Sequence, residues 1–311
     1  MAINSFLQSL ENIICPPSLI VKAKKIKRLP RVAIAEAGTE VVMQSAKDAF
    51  DAGIMAPVFV GNKTEIVLAA KRLDWDIRGF DLVHSESEEE SANAAAKLCG
   101  AGEAEILMKG NVHSDKFIKA VITSKNKIRT SKRLIHVFYI TPKDGTEGVM
   151  VSDAAVNVVL NEKSKKRATL IVVELLKKIG IVRPKIAFLS ASESIIESMP
   201  STLEGKALCD WSKENIKGAD FAGPLALDLI LSRQAAAIKG VKENRVSGRA
   251  NGIIVPDIVS GNALFKSLVY LSGGCAAGLV IGARVPLILT SRADPPAARL
   301  ASIALASISQ S

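Results

Sequence analysis

An α/β fold built on a mostly parallel sheet is predicted by three features of the sequence. Short β-type apolar runs alternate with longer stretches of helical periodicity, the pattern of right-handed βαβ units. The core material is aliphatic, with 48% hydrophobic residues but only 4% aromatic, the usual filling of layered α/β proteins. At 311 residues the chain also exceeds the usual size of one globular unit, so two domains are expected.

In order along the chain, a helix-like start is broken by Pro16 and Pro17. Then "RVAIAEA" precedes a helix over 40 to 53, "APVFVG" one over 62 to 73, and "FDLVHS" one over 86 to 99. The runs "EILMKG", followed by a helix over 113 to 124, and "IHVFYI" continue the alternation. At 141 to 150 Pro142, Gly145 and Gly148 interrupt both periodicities, and a domain crossover is placed there. The pattern resumes with "KIAFLS", "ADFAG", "NGIIVPD", "AGLVIG" and "VPLILTSR", ending in a helix over 295 to 308. The expected domains are 1–147 with 284–311, and 148–283.

The formal net charge of +10 points to an anionic partner. Basic residues concentrate at 22 to 28, 125 to 133 and 163 to 167, without aromatic residues inside them for base stacking. They read as solvated surface, which argues against nucleic acid and leaves a phosphorylated small molecule. "ESEEE" at 86 to 90 reads as a helix start facing water. Cys15, Cys99, Cys209 and Cys275 show neither C-x-x-C pairing nor nearby histidines, so no metal site or disulfide framework is expected, and a reducing cytoplasm fits. No apolar run approaches a bilayer span and no leader pattern opens the chain, so a soluble, unprocessed protein without membrane contact is expected.

In a parallel sheet, ligands bind where strands end and helices begin. Lys109, Gly110, Asn111 and His113 occupy such a junction: a cation, a residue permitting close backbone approach, and a histidine opening a helix whose free N–H groups favour an anion. A glycine turn with a snorkelling lysine is the plain alternative. Ser152 and Asp153, and likewise Ser190, Ser192 and Glu193, read as helix caps. Gly223 and Pro224 read as a turn with proline at the first helical position. Asp257, Ser260, Gly261 and Asn262 fill a strand-to-helix loop; Ser260 is a plausible cap, and Gly261 and Asn262 add open space and donors suited to a phosphate or ribose. In "LILTSRADPP", Arg292 suits two parallel hydrogen bonds to a phosphate and Ser291 supplies a third, while Asp294 before Pro295 also fits a helix N-cap.

Together "LMKGNVHSD", "VSDAAVN", "FAGPLALD", "VPDIVSGNALFKSLVYL" and "GARVPLILTSRAD" resemble, in that order, the phosphate acetyl/butyryl transferase family, and the phosphate butyryltransferase branch more closely. The resemblance implies a two-domain α/β/α sandwich like that of isocitrate and isopropylmalate dehydrogenases, with the active site in the interdomain cleft. It implies an acyltransferase, typically a homodimer, that moves an acyl group reversibly between acyl-CoA and inorganic phosphate to give an acyl phosphate. Coenzyme A is then a co-substrate, and no tightly bound cofactor or metal is expected.

Through the resemblance Ser291 and Arg292 are assigned to the phosphate and acyl site. Seven positions after that serine, where the acetyl branch has an aspartate base, this chain has Ala298, which leaves Asp294 and His113 as candidates. Lys109 is expected to supply the charge of an arginine that has no clear match, Lys119 being the nearest cation in the helix. Gly110, Asn111, Gly223, Pro224, Asp257, Ser260, Gly261 and Asn262 are expected to meet coenzyme A. Met108, Phe117 and Phe221 are expected to shape the acyl pocket. The alternatives are an acyl-carrier-protein:phosphate transferase or decarboxylating dehydrogenase on a related fold, and an inactive anion-binding homologue.

Overall fold

The computed structural model describes residues 7–9, 13–241, 244–290 and 294–311. In chain order its elements are α1 (Pro17–Ala23), β1 (Arg31–Ala35), α2 (Glu40–Asp51), β2 (Ala56–Gly61), α3 (Lys63–Arg72), β3 (Leu82–His84), α4 (Glu88–Ala101), β4 (Ile106–Lys109) and α5 (Ser114–Ile122). There follow β5 (Ile135–Thr141), β6 (Val149–Ser152), α6 (Glu162–Lys178), β7 (Lys185–Leu189), α7 (Pro200–Asn215), β8 (Asp220–Leu225), α8 (Leu227–Leu231) and α9 (Arg233–Ile238). The chain ends with β9 (Gly252–Ile254), α10 (Ile258–Tyr270), β10 (Cys275–Ile281), β11 (Leu287–Ile288) and α11 (Pro296–Ser309).

Two compact units emerge. A terminal unit comprises Glu11–Leu134 and Cys275–Ser311; a middle unit comprises Met1–Leu10 and Ile135–Gly274. These divisions fall at 134/135 and 274/275, compared with the expected 147/148 and 283/284. The difference is physical: β5 pairs antiparallel with β6, Val137 opposite Ser152 and Ile140 opposite Val149, so the proline- and glycine-rich stretch between them closes a hairpin inside the middle unit.

In the terminal unit the strand order is β3-β2-β1-β4-β11-β10, parallel except for β10 with β11. β1 and β4 read as unbroken apolar runs, and Val32 to Ala35 and Ile106 to Met108 are buried throughout, as strands covered on both faces require. One group of packed helices joins α1, α2 and α11; in another, α4 packs on α5 and on β1, β2 and β4. Helix starts follow local chemistry. Asn62 Oδ1 accepts from the N–H groups of Thr64 and Glu65 at 3.0 and 3.2 Å to open α3. Ser87 opens α4 by accepting from Glu90 N–H at 3.3 Å, and Gly102 at φ 79° ends it.

In the middle unit the order is β5-β6-β9-β7-β8, parallel apart from the hairpin. Several sequence expectations change here. Gly223 and Pro224 lie inside β8, joined by a cis peptide, and the next helix begins only at Leu227. Asp228 in its first turn pairs with Lys239 at 2.8 Å. No helix starts at Asp153, the next being α6 at Glu162, and none follows the serines at 190 and 192 until Pro200. The basic run at 163 to 167 is not all solvated, because helical spacing turns Ser164, Lys165, Ala168 and Thr169 inward and the Lys165 ammonium pairs with Glu204. Among the described residues no helix is long and apolar enough to cross a membrane.

Candidate active site

In the terminal unit β1 and β4 end side by side. Ala35 pairs with Lys109, and the carbonyls of Ala35 and Glu36 accept from the backbone N–H groups of Gly110 and Asn111 at 2.8 and 2.9 Å. A Cβ on Gly110 would lie 2.5 Å from both carbonyl oxygens, so only glycine lets the strand ends close this tightly. Glu36 then turns the chain at φ 56°, its carboxylate accepting from Ser91 Oγ at 2.7 Å.

Lys109 does not present its ammonium at the strand end as the sequence suggests. The side chain is buried, and Nζ donates to the Val112 carbonyl at 3.1 Å, closing the turn that leads to α5. His113 is the residue before α5, as expected. Its ring donates from Nδ1 to Glu88 Oε2 at 2.7 Å, and its backbone N–H reaches the same oxygen at 3.1 Å. Since an ionised carboxylate only accepts, Nδ1 carries a proton, and in the neutral ring Nε2 is the basic nitrogen. The bonds from His113, with Lys116 behind them, hold the Glu88 carboxyl down to about 2. "ESEEE" is thus a helix start in which Glu88, the first residue of α4, is engaged rather than merely solvated. Lys119 pairs with Glu89 at 2.9 Å on the exposed surface.

Beside the β1–β4 junction lies a cavity of about 240 Å³. Val41, Val42 and Met108 give its lining an apolar part. Thr39, Ser45, Gly110, Asn111 and Thr290 bring polar groups and backbone, and Arg299 brings the one charge among the described lining residues. Thr290 Oγ1 donates to the Lys109 carbonyl at 3.4 Å, which ties the end of β11 to that of β4. Arg299 is only 8% exposed; burial pulls its proton affinity below that of an ordinary guanidinium, and the Asp294 carboxylate opposes that shift. Phe117 and Phe221 are buried core residues and are not part of this lining.

Ser291 and Arg292, with Ala293, lie outside the described residues. Chain continuity from Thr290 leads directly into them. Asp294 does not cap α11, because Pro295 is held extended by the proline that follows it (ψ 157°) and the helix starts one residue later, at Pro296.

In the middle unit the polar groups of the expected coenzyme residues bond within the chain, although Asp257 itself is exposed. Asp257 is the N-cap of α10, accepting from Ser260 N–H at 2.8 Å and Ser260 Oγ at 2.9 Å, so Ser260 does not cap. The open space expected at Gly261 is filled, since a Cβ there would lie 2.8 Å from the Asp153 carbonyl oxygen. Asn262 donates from Nδ2 to the Ala154 carbonyl at 3.1 Å. Asp153, instead of capping a helix, is a buried hub: it accepts from the backbone N–H of His136, Ala155 and Val156 at 3.0 Å each, and from Asn157 Nδ2 at 2.5 Å. The adjoining His136 is wholly enclosed, and burial holds its ring well below the ordinary histidine value although the Asp153 charge pulls the other way. A Cβ on Gly223 would meet Phe188 at 2.6 Å, a packing role.

The structure therefore gathers Gly110, Asn111 and the end of β11 around one cavity, with His113 opening the helix that follows. Arg299 is the lining residue that sequence reasoning missed. Its signal was present: it is the one charged residue of "PAARLASIALASIS", an otherwise apolar and small-residue helix.

A parallel sheet whose central strands are covered on both faces, with a cavity where those strands end, defines an α/β protein of the class that receives its ligand at the strand ends. Comparison with known proteins narrows this. The model of the phosphate acetyl/butaryl transferase family matches residues 17–99 and 88–307, and the chain belongs to that family. It is 37% identical over 279 residues to a phosphate acetyltransferase of Rhizobium meliloti, covering 88% of this chain and 87% of that one. It is 34% identical over 290 residues to a phosphate butyryltransferase of Clostridium acetobutylicum, covering 93% and 96%. A solved branched-chain phosphotransacylase from Enterococcus faecalis V583 superposes with a TM-score of 0.79 at 27% identity, covering 90% of this chain and 99% of that one.

Proposed function

We propose that the chain is an acyltransferase that moves a short acyl group reversibly between coenzyme A and inorganic phosphate. The observation that carries this reading is the cavity where β1, β4 and β11 end, bordered by Thr290 immediately before Ser291 and Arg292, in a chain of this family.

In the forward direction a phosphate oxygen attacks the thioester carbonyl carbon. A C–O bond forms, a tetrahedral oxyanion develops, and its collapse breaks the C–S bond and releases the coenzyme A thiolate, which takes up a proton. Fixed donors aimed at the developing negative charge contribute most to such a step. Arg292 and Ser291 are proposed to hold the phosphate, and Lys109 to set the turn carrying Gly110 and Asn111 rather than to touch substrate. In reverse, His113 is proposed to take the thiol proton at Nε2, with Glu88 fixing the ring.

Direct transfer is favoured over a covalent acyl-enzyme by the state of the cysteines. Burial pushes Cys15, Cys99 and Cys275 up to about 12 and also raises Cys209, so none is poised as a thiolate. Coenzyme A, a polyanion, suits the net charge of +10. In the middle unit Gly223, Pro224 and residues 257 to 262 are proposed to meet it through shape, their polar groups being engaged within the chain.

The test is colorimetric release of free thiol from a series of acyl-CoA esters with phosphate, for the wild type and Arg292→Ala. A loss well above about tenfold in the variant is expected. Unchanged turnover would reject the role given to Arg292, and no phosphate-dependent release from any ester would reject the reading.

A further inference from the structure

The cavity holds a charge that neither the motifs nor the proposed chemistry uses. Arg299 projects from the first turns of α11 into a space lined by Val41, Val42 and Met108 as well as by Thr39, Asn111 and Thr290. Arg299 is almost wholly buried, and enclosing a guanidinium among the apolar residues of a helix costs free energy. A nearby carboxylate offsets part of it, because Asp294 acts on Arg299 in the opposite direction. The position also matters: β1, β4 and β11 end at this cavity, on the side of a parallel sheet where ligands are received.

We propose that Arg299 is a substrate-binding residue of this cavity: its guanidinium receives phosphoryl oxygens of inorganic phosphate or of a short acyl phosphate, whose alkyl chain packs on Val41, Val42 and Met108. This rests on the acyl-transfer reading for the identity of the ligand, but not for the existence of the anion site. A planar, permanently charged fork suits two oxygens of one phosphoryl group, and an apolar stretch beside it suits a chain of a few methylenes. The cavity thereby selects for a small ligand that is anionic at one end and apolar at the other. It also supplies a second cation, beyond Arg292, in a chain whose Lys109 is turned back onto its own loop.

The experiment has two readouts: steady-state thiol release with phosphate as the varied substrate, and calorimetric titration of the protein with inorganic phosphate alone. Arg299→Met is expected to raise the KM for phosphate more than about tenfold with a smaller fall in kcat, and to weaken the titration by a similar factor. Arg299→Lys, which keeps the charge but not the fork, is expected to recover part of both. If Arg299→Met leaves both within about twofold of wild type, the proposal is overturned.

Should Arg299→Met fail to fold, Val42→Phe decides: narrowing the cavity is expected to lower kcat/KM for butyryl-CoA more than about tenfold and for acetyl-CoA less than threefold. Equal effects on the two esters would overturn the proposal. Phosphate binding that depends on Arg299 in a protein releasing no thiol from any ester would support the site and refute the acyl-transfer reading. Thiol release that is indifferent to Arg299 would do the reverse.

Discussion

The turn from β9 into α10 and the junction of β1, β4 and β11 offer the same vocabulary of glycine, hydroxyl, amide and acid after a buried strand, yet they come to opposite ends. At the β9–α10 turn Asp257 and Ser260 satisfy one another, Asn262 is bonded to Ala154, and Gly261 is pressed on the Asp153 carbonyl. At the other junction a comparably tight glycine, Gly110, closes the backbone, but a cavity of about 240 Å³ remains beside it with a buried arginine in its lining. Glycine at a strand end therefore reports a close approach; whether chain or ligand makes it depends on what the neighbouring strands leave unfilled. A sealed region should answer mutation through stability, an open one through binding.

The largest effect is expected where the sealing is densest. Asp153→Ala leaves three backbone N–H groups and the Asn157 amide without their acceptor in a buried loop, and should cost about 4 kcal/mol in denaturant unfolding. Gly110→Ala forces a methyl against two carbonyl oxygens and should cost about 3 kcal/mol, with activity lost in proportion to the displaced turn. A larger effect at Gly110 than at Asp153 would invert the comparison.

A pH profile sharpens it next. His136 is held neutral, with a folded value about 4 against an ordinary 6.5, so the folded state binds fewer protons between those values than the unfolded state does. Stability contributed by the neutral ring is complete above about 6.5 and is lost as the pH falls toward about 4, on the order of 3 kcal/mol. Unfolding midpoints measured across that window should fall steeply for wild type and less for His136→Leu; parallel curves would show that the ring is not the cause. The smallest effect is at Asp257→Ala, where loss of the α10 cap should cost about 1 kcal/mol by the same unfolding measurement.

Much of the terminal sheet was legible because its strands are continuous apolar runs set between stretches of helical periodicity, as in "RVAIAEA", "APVFVG" and "EILMKG". β8 was not read at its full length, since a glycine and a proline argue against a strand. That objection is weakest at a sheet edge, and β8 is the last strand in its order. Lys165 was misread because a basic run looks solvated, whereas helical spacing and Glu204 bury it. Of the candidate site, Gly110 and Asn111 were found from the strand-end rule, but Lys109 was expected to offer its charge to a ligand there because sequence cannot show an ammonium bonding the carbonyl three residues on. Arg299 was not legible because a lone cation in an amphipathic helix ordinarily faces water, whereas here α11 is buried along nearly its whole length.

Direct attack of phosphate on the thioester, without an acyl-enzyme, is most directly examined by isotope exchange. Labelled inorganic phosphate is incubated with the enzyme and unlabelled butyryl phosphate, with and without coenzyme A. Label should enter butyryl phosphate only when coenzyme A is present; exchange at an undiminished rate in its absence would mean that the enzyme itself carries the acyl group.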